Sequence, residues 1–250
     1  MSINPKYALV TGASSGIGAA TAKALAAAGY RVVAAARRAD RLAELTNEMI
    51  ETRVLDVTDQ QSVDTLAAYL ADKNLKVVVA NAGGAFDANT IAKADLDSWQ
   101  KSYEVNVIGT VRTIQAFVPF MTDGGHVVIM GSTAGRAVYE SGGSYTAAKH
   151  AVAALAATLR LELSGLPIRV TEIAPGMVRT EEFAVVRFGG DKEKAAKVYE
   201  GVAEPLVAED IADAVVWCVT RPAHVNVDLL VVRPIAQAAN HKVHRIISNK

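Results

Sequence analysis

Only one cysteine, Cys218, occurs in 250 residues. That excludes a disulfide within the chain and any metal site built from several thiolates. A charge imbalance is missing too, since 26 Lys and Arg cancel 26 Asp and Glu. Without a basic excess there is no electrostatic footprint for a nucleic acid partner. Long apolar runs are also lacking. The longest stretch free of charged residues, 7–22, has 16 residues and carries Gly12, Gly16 and Gly18. It is too short and too glycine-rich to span a bilayer, so no membrane partner is expected. The first six residues lack the charged-then-apolar pattern of a signal peptide. Aromatic residues make up 6% against 51% hydrophobic overall, so any core must be aliphatic. These absences leave a cytoplasmic α/β protein as the expectation.

What is present is an alternation. Short β-branched runs at 7–11, 31–36, 52–55, 76–80, 126–130, 168–173 and 228–232 read as strands apolar on both faces. Between them, helices are expected at 17–28, 39–50, 60–71, 96–121, 144–163 and 208–220. Gly29 follows the first helix, and Gly165 with Pro167 closes the fifth. Strand–helix repetition at this spacing implies a doubly wound, Rossmann-like parallel sheet with helices on both faces. One domain over residues 1–250 is expected. Residues 178–205 break the rhythm and read as two short helices around Gly189 and Gly190, a candidate substrate lid. The tail 241–250 reads as a frayed end or a subunit contact.

Thr11-Gly12-Ala13-Ser14-Ser15-Gly16-Ile17-Gly18 follows the first strand and opens the first helix. Glycines there let the backbone approach a pyrophosphate at a helix N-terminus. The second strand of an NAD-binding sheet ends in an acidic residue that takes the ribose 2′-hydroxyl. Ala36 occupies that place here, and Arg37 and Arg38 follow. Two guanidiniums and no carboxylate suit a 2′-phosphate, so NADP(H) is the expected cofactor.

Tyr145 and Lys149 stand four residues apart on a predicted helix, hence on one face. A free phenol titrates near pH ~10 and needs a neighbouring ammonium to work as an acid–base group at neutral pH. Ser132, just past the fifth strand, is placed to hold a substrate oxygen against the tyrosine. No metal is implied. His126 and His150 read as structural, Cys218 and Trp217 as core, and Glu181 and Glu182 as a solvated helix start.

With these motifs assembled, the chain resembles the short-chain dehydrogenase/reductase family along essentially its whole length. The resemblance implies cofactor contacts at Gly12, Ser14, Ser15, Gly16, Ile17, Gly18, Arg37 and Arg38. It adds Asp56 and Val57 at the adenine, and Asn81, Ala82 and Gly83 beside the nicotinamide ribose. Tyr145 and Lys149 also contact the cofactor, and Pro175, Gly176, Val178 and Thr180 form the segment meeting the nicotinamide. Asn106, Ser132, Tyr145 and Lys149 match the family's catalytic tetrad. Ala80 departs from the more usual asparagine. Homotetramers, or homodimers, are implied as well, with helices 96–121 and 144–163 sharing a face through Ala147, Ala148, Ala151, Ala153 and Ala154.

Within the family, ARRADRL, VRFGGD and RPAHVNVDLLVVRP resemble the NADP-dependent 3-hydroxy acid and serine dehydrogenases. That branch implies substrates such as serine, allo-threonine or 3-hydroxyisobutyrate. A carboxylate needs a cation, and Arg179, Arg187 and Arg136 are the candidates. Two other readings stand beside this one: a reductase of a secondary-metabolite aldehyde or ketone, and a non-catalytic NADP-sensing regulator.

Overall fold

The computed structural model describes residues 4–246. Seven parallel strands form one sheet in the order β3-β2-β1-β4-β5-β6-β7. They are β1 (Tyr7–Thr11), β2 (Arg31–Ala36), β3 (Ile50–Val54), β4 (Leu75–Ala80), β5 (Gly125–Met130), β6 (Ile168–Pro175) and β7 (Leu229–Val232). The order reverses between β1 and β4, which is the switch point where such sheets open a crevice beyond their carboxyl ends.

The helices are α1 (Gly16–Ala27), α2 (Ala39–Ala43), α3 (Gln60–Leu70), α4 (Leu96–Tyr103), α5 (Gly109–Phe117), α6 (Gly143–Glu162), α7 (Phe183–Arg187), α8 (Lys192–Lys197) and α9 (Ala208–Val219). Alternate strand residues face opposite layers. Leu9, Val78, Val127, Ile129 and Val170 pack with Phe117, Ala148 and Val152 under α3, α5 and α6. Val10, Val79, Val128 and Ile173 pack with Leu25, Ile211 and Val215 under α1 and α9. Both faces are therefore covered, as the two-sided apolar strands require.

Two expected helices differ. The helix expected over 39–50 stops at Ala43, because Asn47 Oδ1 accepts from the Met49 and Ile50 amides at 2.8 and 3.0 Å. Such a side-chain turn competes with helix continuation, and Ile50 is taken into β3 beside Val32. The helix expected over 96–121 is interrupted by a π-turn at Glu104–Ile108. After α5 it ends in a 3₁₀ turn, Val118–Phe120, that holds Pro119. Gly109 restarts it where an added Cβ would press into Val57.

Within the tail, β8 (Gln237–Ala239) pairs with β9 (Lys242–Val243) in a small hairpin; positions 247–250 lie outside the described residues. Trp217 is 46% exposed under the Arg221 guanidinium rather than in the core, because it sits on the outward side of α9. Cys218, next to it, points inward, and burial pushes its thiol up to about 11. Of the five alanines expected to meet a second subunit, Ala148 and Ala153 are buried within this chain, whereas Ala147 and Ala154 are exposed. No helix among the described residues is long and apolar enough to cross a membrane.

Candidate active site

A cleft of about 750 Å³ opens beyond the carboxyl ends of β1, β4, β5 and β6. Its floor at the switch point is the turn after β1. Gly12 has φ +67, and an added Cβ would collide with the Ala82 backbone. An added Cβ at Gly18 would meet the Gly12 carbonyl, so helix α1 starts as close to the strand as backbone allows. Asn81 Nδ2 donates to the Thr11 carbonyl at 2.9 Å, and Thr11 Oγ1 accepts from the Asn81 and Ala82 amides at 3.1 and 3.0 Å. These bonds lock the β1 and β4 turns together.

At one end of the cleft, Arg38 donates from Nε and Nη2 to Ser14 Oγ at 3.2 and 2.9 Å, and from Nη2 to Ser15 Oγ at 3.0 Å. Arg37 is exposed beside it. Asp56, after β3, accepts from the Thr58 amide and hydroxyl at 2.9 and 2.7 Å. Ser14, Ser15, Gly16, Ile17, Arg37, Arg38, Asp56, Val57, Asn81, Ala82 and Gly83 all line the cleft. Hydroxyls, a helix N-terminus and two guanidiniums form a donor set that fits a phosphorylated dinucleotide.

At the other end stand Ser132, Tyr145 and Lys149, each on the cleft wall although nearly buried. Ser132 caps the turn after β5, with Oγ accepting from the Ala134 amide at 3.1 Å. Lys149 Nζ donates to the Met130 carbonyl at 2.8 Å and lies 5.7 Å from the Tyr145 ring centroid. Burial holds the phenol of Tyr145 above its ordinary value, opposed by a hydrogen bond with Ser132. Burial also lowers Lys149 to about 8, with Glu172 pulling the other way. Both groups are desolvated on the cleft wall, and the Lys149 ammonium is committed to the Met130 carbonyl.

The family model described as short chain dehydrogenase matches residues 6–187. The chain belongs to the short-chain dehydrogenase family. It is 50% identical over 237 residues, covering 94% of this chain and 93% of the relative, to an uncharacterized oxidoreductase of Mycobacterium tuberculosis. It is 38% identical to an NADP-dependent 3-hydroxy acid dehydrogenase of Salmonella typhi, over 95% of this chain and 98% of that one. Among solved structures, the closed form of a serine dehydrogenase complexed with NADP+ superimposes with a TM-score of 0.89. It shares 37% identity and covers 96% of this chain and 100% of that chain. The chain is thus a short-chain oxidoreductase.

Asn106, expected from the resemblance to complete a tetrad, sits in the π-turn and is buried behind the cleft wall. Its Nδ2 donates to the carbonyls of Gly84 and Ser102 at 2.9 and 2.7 Å, and its Oδ1 accepts from the Gly84 amide at 3.2 Å. It shapes the turn after β4, and a Cβ at Gly83 would strike it. On the far side, Gly176 donates to the Val232 carbonyl at 2.7 Å, and Gln237 Oε1 accepts from the Met177 amide at 2.8 Å. Pro175, Gly176, Val178 and Thr180 line the cleft there.

The three candidate cations separate. Arg136 turns inward to an ion pair with the buried carboxylate of Glu172, so it does not face a substrate. Arg179 lies over the Tyr199 ring at 5.5 Å and is not part of the cleft wall. Arg187 lines the cleft, donates to the Ser141 carbonyl at 3.1 Å and keeps a buried Nε without a partner.

Glu182 stands at the start of α7, as expected, but its carboxylate is not free in solvent: Oε1 accepts from Arg38 at 2.5 Å and Oε2 from Ser15 at 3.0 Å. Phe183 was missed altogether, and its ring meets Tyr145 edge-on at 5.5 Å between centroids. Local pattern carries no signal for either, because the contacts join positions far apart in the chain. His126 and His150 are structural as expected; His126 bonds Thr171 inside the sheet.

Proposed function

We propose that this protein is an NADP(H)-dependent dehydrogenase that interconverts a short 3-hydroxy acid and its 3-oxo acid. The observation carrying the reading is that Arg187 lines the same cleft as Ser132 and Tyr145. A carboxylate held at that guanidinium would leave the 3-hydroxyl free to reach the phenol. The relatives named for NADP, 3-hydroxy acids and serine support it.

Bound NADP(H) supplies or accepts the hydride. Arg38, Ser14 and Ser15 would take its 2′-phosphate, and the α1 N-terminus its pyrophosphate. Lys149 would hold the nicotinamide ribose hydroxyls. Tyr145 gives its proton to the carbonyl oxygen in reduction and takes the hydroxyl proton in oxidation. Ser132 donates to the same oxygen and fixes its position. Asn106 would maintain the turn that borders this site. Residues 178–205 would act as the lid, with Phe183 closing over Tyr145 and excluding water. The aromatic wall of Phe86, Tyr139, Phe183 and Phe188 favours the second reading, reduction of a bulkier aldehyde or ketone.

A spectrophotometric screen of NADP+ reduction with L-serine, allo-threonine, 3-hydroxyisobutyrate and 3-hydroxypropionate tests the assignment. At least one hydroxy acid should turn over with a kcat/KM well above that for the matching alcohol without a carboxylate. Faster turnover of neutral aldehydes than of every 3-oxo acid would move the assignment to the second reading.

A further inference from the structure

Glu172 is a carboxylate in the middle of β6 and is 1% exposed. β6 alternates across the sheet: Val170 packs under α6, and Ile173 packs towards α9. Glu172, two residues beyond Val170, therefore faces the α6 layer. Its Oε2 is paired with Arg136, from the loop that follows Ser132, and its Oε1 has no hydrogen-bond partner.

The position of that free oxygen is informative. An added Cβ at Gly131 would strike Glu172 Oε1, so the carboxylate lies against Gly131. Lys149 reaches the preceding residue, donating to the Met130 carbonyl at 2.8 Å. The carboxylate and the ammonium thus meet two consecutive residues at the end of β5, both from the α6 side. A buried carboxylate carries a large desolvation cost that a partly exposed arginine offsets only in part. A buried ammonium carries the same cost with the opposite sign of charge.

We propose that Glu172 is a positioning residue for Lys149, its buried charge keeping the ammonium protonated behind Tyr145 while its grip on Arg136 anchors the Ser132 loop. This rests on the roles assigned to Tyr145 and Lys149 above. The charged groups around the pair are Arg136 from the loop after β5, Lys149 from α6, and Arg160 near the end of α6, which is itself paired with Asp228. Burial pushes the Glu172 carboxyl up, and Arg136, then Lys149, pull it down. Lys149, lowered by burial to about 8, is pulled back up by Glu172.

The test measures NADPH affinity against pH by fluorescence titration, because a Lys149 that loses its proton loses a donor and a charge at the ribose. Glu172→Gln keeps the shape and removes the charge. The midpoint of the alkaline weakening should fall by about one pH unit, as expected for loss of a nearby opposite charge. Glu172→Asp should return it towards the wild type. The alkaline limb of kcat should move with it, while melting temperatures in the same buffers report folding. An unmoved midpoint in folded Glu172→Gln overturns the proposal. If that variant does not fold, Arg136→Gln carries the test from the other partner. There the buried carboxylate loses its main compensating charge and its effect on Lys149 changes, so the midpoint moves, and an unmoved midpoint again overturns it. Tyr145→Phe separates the two levels of argument. Normal turnover in Tyr145→Phe removes the assignment of the tyrosine, whereas a dead Tyr145→Phe with an unmoved Glu172→Gln midpoint removes only the role of Glu172.

Discussion

Glu182 Oε1 accepts a 2.5 Å hydrogen bond from Arg38 Nη1, joining the segment after β6 to the turn after β2 across 144 residues of sequence. The arginine expected to select the cofactor's 2′-phosphate is thus already held by a carboxylate. A phosphate arriving at Arg38 and Ser15 must compete with it. With side chains 41% and 31% exposed, the pair is screened by solvent and worth no more than about 1 kcal/mol. Glu182→Gln should therefore tighten NADPH binding by about two- to fivefold, measured by fluorescence titration at low salt. Weaker binding would mean that the glutamate serves the cofactor and does not compete with it.

In the proposed reading, Arg37 and Arg38 separate two cofactors that differ by one phosphate. Replacing them by Asp and Ala should raise the KM for NADPH by about 100-fold, the scale of two lost charge-assisted hydrogen bonds. The KM for NADH should stay within a few-fold or improve. Steady-state kinetics with both cofactors decides this, and parallel losses would remove the 2′-phosphate argument.

Arg187→Leu should raise the KM for a 3-hydroxy acid at least 100-fold and leave reduction of a neutral aldehyde nearly intact. Arg179→Leu should change neither, since that guanidinium lies over Tyr199. Arg136→Leu should lower the melting temperature instead, because it strands the buried Glu172 carboxylate. Unchanged KM in Arg187→Leu would take the substrate carboxylate elsewhere.

His126 sets a pH dependence of stability. Burial lowers it to about 3, with Arg169 adding to the effect, against 6.5 when unfolded. Above pH 6.5 the imidazole is neutral in both states and its contribution is complete. As pH falls below 6.5 the unfolded chain takes up a proton that the folded chain refuses until about 3, so stability is lost across that window. The slope approaches about 1.4 kcal/mol per pH unit. Urea denaturation between pH 7 and 5, above the carboxylate range, should show the fall, and His126→Asn should flatten it.

The sheet was legible in the sequence because a strand covered on both faces must be apolar at nearly every position, and runs such as 31–36 and 76–80 say so directly. The nucleotide turn was legible because Gly12 and Gly18 are needed for close backbone approach, a local requirement. Tyr145 and Lys149 were legible because helical periodicity puts them on one face. Helix boundaries failed where a side chain overrode propensity: Asn47 folds back on the Met49 and Ile50 amides.

Local periodicity and glycine placement determined the layered fold, the close glycine turn after β1 and the tyrosine–lysine pair, since each depends on residues a few positions apart. Tertiary structure alone decided that Arg136 belongs to Glu172, that Arg38 meets Glu182, and that Arg187 faces the cleft. Those choices depend on which charges are brought out of water together, and in a parallel sheet these partners arrive from connections dozens of residues apart.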